Sequence, residues 1–125
     1  MDSRKRIESF EDLIVWQKAN LLWEMACENV VKFPNNRIAW VLNDQLLRSI
    51  GSVSANIAEG HGSGYSQEYL HSLRIARKEL SEALNWLIKS ERLGYITTKR
   101  LLEYRLLIDE VRKMLNSLIG KINQH

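Results

Sequence analysis

A chain of 125 residues that is 45% hydrophobic and 26% charged is expected to form one domain around one core, and this composition excludes a disordered chain. Pro34 is the only proline and there are six glycines, so helix breakers are scarce and helix formers dominate. The net charge of +3 is uneven: residues 1–62 carry seven Lys/Arg against eight Asp/Glu (−1), residues 63–125 eleven against seven (+4), which permits an acidic partner without demanding one.

The first predicted helix spans about 10–32. Val15, Ala19, Leu22, Ala26 and Val30 line one stripe, with Trp16, Trp23 and Cys27 beside it. Ser9 with Asp12 reads as a variant of the capping box at its start. Phe33-Pro34-Asn35-Asn36 ends it, because the residue before proline avoids helical angles, and the asparagines can cap the next helix. Cys27, the lone cysteine, reads as a buried, inert thiol.

The second helix, about 38–59, carries Ala39, Leu42, Leu46, Ile50, Val53 and Ile57, and Gly60 is expected as the left-handed residue that stops it. The third, about 66–92, starts at Ser66 as N-cap and repeats Tyr69, Leu73, Ala76, Leu80, Leu84 and Leu87, with Gly94 as its stop. The fourth, about 98–122, follows Thr97 or Thr98 and repeats Leu101, Tyr104, Ile108, Val111, Leu115, Leu118 and Ile122. Connections of about 4–6 residues make successive helices antiparallel neighbours. The expected fold is all-α: an antiparallel up-and-down four-helix bundle forming a single domain over 1–125. The stripes are wider than one core needs. Trp16, Trp23, Trp40, Trp86 and Tyr95 belong either to the core edge or to an oligomer contact.

The stretch Ser52–Gly64, SVSANIAEGHGSG, is the most unusual. It follows a helix, not a strand, and lacks the GK[ST] ending, so it does not fit a phosphate loop. It fits a nucleophile elbow neither in spacing nor in context. Ser54, Glu59 and His61 have no fixed mutual geometry and suit a helix end equally well. Among the histidines, His61 and His71 are ten apart and His125 is terminal; Glu68 with His71 is a single Glu-x-x-His where a di-iron bundle needs two. No catalytic residue, metal ligand, cofactor or small-molecule substrate is therefore expected, and no enzyme activity. No apolar run is long enough to span a bilayer, and the N-terminal MDSRKRIESF precedes no apolar signal region, so no membrane partner and a cytoplasmic location are expected.

Two polar patterns remain. On the second helix, Gln45, Arg48, Ser52, Asn56 and Glu59 recur at helical spacing apart from the apolar stripe. Their short side chains suggest a buried hydrogen-bond network ahead of the alternative, a binding surface. On the third helix, His71, Arg74, Lys78, Lys89 and Arg92 fall on one side with Arg77 at the edge, and Glu68, Glu79 and Glu82 fall beside them. Such a stripe either contacts phosphates or stays solvated. On the fourth, Asp109 stands between Arg105 and Arg112 at pairing distance and is expected to neutralise them.

The order of FEDLIVWQKA (10–19), KFP (32–34), DQLLRSIGSVSANIAEGHG (44–62), EYLHSLRIARKELSEALNWL (68–87) and LGYI (93–96) resembles the four helix bundle protein family. Its members are also called ribosomal RNA intervening-sequence proteins, since some are encoded in insertions within bacterial large-subunit rRNA genes. The resemblance covers nearly the whole chain. It implies an up-and-down bundle, a homo-oligomer with pentameric rings known in the family, and no enzymatic activity. Nucleic-acid binding has been proposed for the family, and the fold is similar to that of basic, pentameric accessory proteins of diversity-generating retroelements. This chain departs from the pattern in having Arg77-Lys78 where Gly-Ser is frequent, and Ser63-Gly64-Tyr65 where an Arg usually follows the glycines. The expectation is a homo-oligomeric bundle that contacts RNA or DNA phosphates through Arg48, Arg74, Arg77, Lys78 and Arg92. The polar stripe Gln45, Ser52, Asn56, Glu59 and Gly60 is expected to be structural. The alternative is a protein-interaction scaffold or accessory subunit without nucleic-acid contact.

Overall fold

The computed structural model describes residues 6–64 and 66–124. Tyr65, in the departure after the glycines, and His125 lie outside them. A 3-10 turn, Phe10–Asp12, precedes α1 (Ile14–Val30), α2 (Arg37–His61), α3 (Gln67–Arg92) and α4 (Thr98–Asn123). Each helix packs on the two beside it, and the diagonal pairs α1–α3 and α2–α4 do not approach closely. The result is the up-and-down four-helix bundle that the short connections predict.

Local chemistry sets most of the boundaries. The Asn36 side chain accepts from the Ala39 amide at 2.9 Å, Ser66 from Tyr69 at 3.2 Å and Thr97 from Arg100 at 3.0 Å, so α2, α3 and α4 each start on an oxygen that satisfies an orphan donor. Gly94 ends α3 with φ +78; its amide donates to the Glu91 carbonyl at 2.9 Å and the Tyr95 amide to Ser90 at 2.8 Å. That pair of bonds is a Schellman motif, which needs the left-handed residue glycine supplies.

Two boundaries differ from the sequence reading. The Ser9–Asp12 capping box forms, but it closes only the three-residue turn. Leu13 then adopts an extended conformation, and α1 begins at Ile14. At the other end of α2, Gly60 is not the left-handed stop. It lies inside the helix, which runs to His61, and the positive φ of this loop (+69) falls at Gly64. Gly60 is required by packing: a Cβ there would stand 2.7 Å from the Tyr69 ring and 2.8 Å from Ser72 Cβ on α3.

The core is aliphatic. Leu22, Leu46, Ile50, Leu73, Leu80, Leu87, Ile108 and Leu115 are fully buried, with Tyr104 among them. Truncating any one of these leucines to Ala costs about 2–5 kcal/mol. Leu84 and Leu118 sit at the edge of the core, and Cys27 is half-buried, on a helix flank outside the innermost layer. Trp16, Trp23 and Trp86 pack against the core, and Tyr95 rests against Phe33 with ring centroids 5.3 Å apart. Trp40 is the tryptophan left largely exposed, its indole N–H donating to Asn35 at 3.0 Å.

Candidate nucleic-acid interface

The α2 polar stripe lies where α2 meets α3, the most extensive helix pair of the bundle. Its short side chains let the two helices close on each other. Their hydrogen bonds are local, which differs from a network between helices. Ser49 donates to the Gln45 carbonyl at 2.8 Å, and Asn56 donates to the Ser52 carbonyl at 2.8 Å and to its hydroxyl at 3.1 Å. Ser52 and Asn56 are thus half-buried and bonded within their own helix, whereas Arg48 of the same stripe reaches the carboxylates of α3. Glu59 is exposed. In the loop beyond, Ser63 donates to the Gly60 carbonyl at 2.6 Å, and the His61 ring meets Tyr69 edge-on at 6.2 Å. Ser54 donates to Gly51 at 3.4 Å, and no hydrogen bond joins Ser54, Glu59 and His61.

The five basic positions separate into three environments. Arg48 crosses from α2 to α3 and is held by Glu79 at 3.3 Å and by Glu82, with Gln45 accepting a third bond. Its charge is compensated inside the α2–α3 seam. Arg92 lies with Arg37 and Lys89 beside an aliphatic groove at the α2 N-terminus. Arg74, Arg77 and Lys78 form the third group, on the α3 side that meets α4.

Among the described residues, the cations on that side form no ion pair with a carboxylate. Arg77 donates to the Asn116 side-chain oxygen at 2.9 Å across the seam, and Arg112 donates back to the Ser81 hydroxyl at 3.1 Å. Both partners are neutral, so the guanidinium charges stay. Arg74 and Lys78 are exposed on the flanking turns, Arg105 lies two turns from Arg112 on the same side of α4, and Lys113 adjoins it. Asp109 is exposed nearby, and among the described residues it forms no ion pair with Arg105 or Arg112, contrary to the expected neutralisation. The sequence reading missed the contribution of α4, because which helix faces stand together is not written in either helix alone. From His71 to Arg92 the exposed residues of α3, His71, Arg74, Lys78, Ser81, Asn85, Lys89 and Arg92, contain no acid over about 30 Å, while Glu68, one turn before them, is exposed and Glu82 is half-buried beside them.

A polar cluster at the opposite edge is structural. Tyr104 donates to the Asn29 side-chain oxygen at 2.6 Å, and Arg100 donates to the same oxygen at 2.9 Å while pairing with Glu28 and Glu103. Burial pushes the Tyr104 phenol well above the ordinary tyrosine range. All three guanidinium nitrogens of Arg100 are used. Among the described residues no group of three His, Cys, Asp or Glu side chains is arranged to hold a metal, and no helix is long and apolar enough to cross a membrane.

Comparison with known proteins agrees with this architecture. No curated protein sequence matches the chain. A crystal structure of a protein of unknown function from the S23 ribosomal protein family of Bacteroides thetaiotaomicron superposes with a TM-score of 0.77 at 28% identity, covering 85% of this chain and 98% of that one. The model of the 23S rRNA-intervening sequence protein family matches residues 11–117. That match spans most of the chain, four helices included, and the chain belongs to the 23S rRNA-intervening sequence protein family.

Proposed function

We propose that the protein is a non-catalytic, self-associating bundle that binds the phosphate backbone of RNA or DNA through its α3–α4 face. The observation that carries this reading is the pair of seam-crossing arginines, Arg77 and Arg112, bonded to neutral Asn116 and Ser81. Arginines that serve only folding are ordinarily matched by carboxylates, as Arg48 and Arg100 are here. The face offers cations without the aromatic platform that base stacking requires, so recognition is of backbone and shape. Arg48 has no part in it.

Titration against a structured rRNA fragment and a random duplex tests the proposal. Binding at low salt is expected for both, with log affinity falling linearly in log salt at a slope equivalent to roughly four to six phosphates. Undetectable binding at low salt, or affinity indifferent to salt, would sink it. Self-association is supported by exposed aliphatic residues, Ile14 and Leu21 of α1 and Leu102 and Leu106 of α4.

A further inference from the structure

Two apolar patches on this molecule carry opposite charge. The first is the groove where the first turns of α2 meet the last turns of α3. Its floor is Ile38, Val41, Leu42 and Leu93, its rim is Arg37, Lys89 and Arg92, and none of the lining residues is acidic. Ile38, Val41 and Leu93 are each more than half exposed, and aliphatics that converge on one depression mark an interaction surface. The second patch is the outward stripe of α1. Ile14, Gln17, Leu21, Glu24 and Glu28 recur at intervals of three and four residues and are all exposed, so they share one face of the helix. Glu11, in the turn before them, is exposed as well.

Charge decides how these patches can pair. Glu24 accepts from neutral Asn20 at 3.0 Å and keeps its charge. Glu28 meets Arg100 at 3.1 Å, yet its side chain is 71% exposed. The only cation of α1, Lys18, is taken by Glu110 at 2.6 Å. Two α1 stripes laid together would set carboxylate against carboxylate, and two grooves would set Arg37 and Arg92 against their own kind; like charges in contact cost affinity. Around Leu102 and Leu106 of α4, Lys99 and Arg105 stand beside Glu103 and Asp109, so α4 offers the rim no excess of either sign. Only the α1 stripe in the groove matches aliphatic with aliphatic and carboxylate with guanidinium. Because α1 is packed between α2 and α4 with this stripe outward, it cannot lie in the groove of its own molecule. It can reach that of a second copy.

We propose that copies of this chain associate head to tail, the α1 stripe that holds Ile14 and Leu21 in one copy lying in the α2–α3 groove of the next. The proposal rests on the self-association reading above and names its two surfaces. The contact is heterologous: after one pairing a groove stays free at one end and an α1 stripe at the other, so growth passes two copies until the array closes. It also covers Lys89 and Arg92, the last cations of the α3 stripe, and leaves phosphate the side of α3 that meets α4, with Arg74, Arg77, Lys78 and Arg112.

Light scattering on the full chain at about 100 μM tests it. Wild type is expected at a mass of about three chains or more, each of 14.6 kDa. Leu21→Glu, which spoils the α1 stripe, and Val41→Glu, which spoils the groove, are each expected to give single chains. Their equimolar mixture is expected to give pairs and nothing larger, because one intact groove then meets one intact stripe. Arg37→Glu/Arg92→Glu is expected to weaken association at least about tenfold, and Arg74→Glu/Lys78→Glu to leave it within about twofold. Circular dichroism checks that the variants remain helical, and Ile38→Glu, at an equally exposed floor position, replaces Val41→Glu should that one unfold. A wild-type mass of one chain removes self-association itself, and this contact with it. A wild-type multiple that Val41→Glu or Arg37→Glu/Arg92→Glu leaves intact overturns the contact alone. So does a wild-type mass of two chains, or a mixture that stays at single chains, each of which points to a two-fold symmetric contact.

Discussion

At the scale of single residues, the glycines show how context reverses one chemistry. Gly60 and Gly120 are both helical, and Ala is favoured over Gly in a helix by about 1 kcal/mol. At Gly120 a Cβ meets nothing within 4 Å, so Gly120→Ala is expected to raise stability by about 0.5–1 kcal/mol in urea unfolding. At Gly60 the added carbon collides with Tyr69 and Ser72, and Gly60→Ala is expected to lose about 1–3 kcal/mol despite its better propensity. Tyr104 gives a pH prediction. Its phenol titrates higher when folded than the ordinary value near 10 of the unfolded chain, so the folded state keeps the proton longer. The stability this contributes is full below pH 10 and is lost as pH rises beyond it. Tyr104→Phe is expected to cost about 1 kcal/mol at neutral pH, for the lost bond to Asn29, and to flatten the alkaline fall in unfolding midpoint. The glycine effects were not legible in the sequence. AEGHG announces a helix end, but which glycine takes the left-handed angle depends on how closely α3 approaches.

At the scale of elements, the periodicity of 3.6 was enough to place four helices, because each carries an unbroken stripe that water excludes. The caps were legible as well, since Asn36, Ser66 and Thr97 act within one turn of their own chain. Pairing between helices was not. Arg48 and Arg77 look alike in sequence, yet one lies against Glu79 and Glu82 and the other against Asn116. This difference yields a contrast in binding. Arg74→Glu/Lys78→Glu is expected to weaken RNA and duplex binding alike and to lower the salt slope by about 2. Arg48→Ala is expected to leave affinity within about twofold and to cost at most about 1 kcal/mol of stability, being an exposed ion pair. Filter binding across a salt series reads both. An Arg48→Ala variant that lost binding in step with the double variant would show that the two seams form one surface.

At the scale of the whole molecule, the bundle divides its surface: cations along α3–α4, a basic-rimmed aliphatic groove between α2 and α3, and exposed aliphatics on α1 and α4. Self-association belongs to the last two of these. Light scattering is expected to give a mass that is a multiple of 14.6 kDa, and Leu21→Glu/Leu106→Glu to reduce it to one chain while leaving the helical signal intact. A wild-type mass of one chain at about 100 μM would remove this part of the proposal. The tryptophans that suggested it from sequence are mostly spent on the core edge, and the exposed leucines and isoleucine carry the argument in their place. The sequence by itself determined the helix count, their order, the core stripes and the family signature, because these depend on interactions within a few turns of one chain. Which cations are neutralised, which glycine serves packing and where a groove opens were decided only when helices met, because Coulomb and contact energies depend on distances that adjacency in sequence does not set.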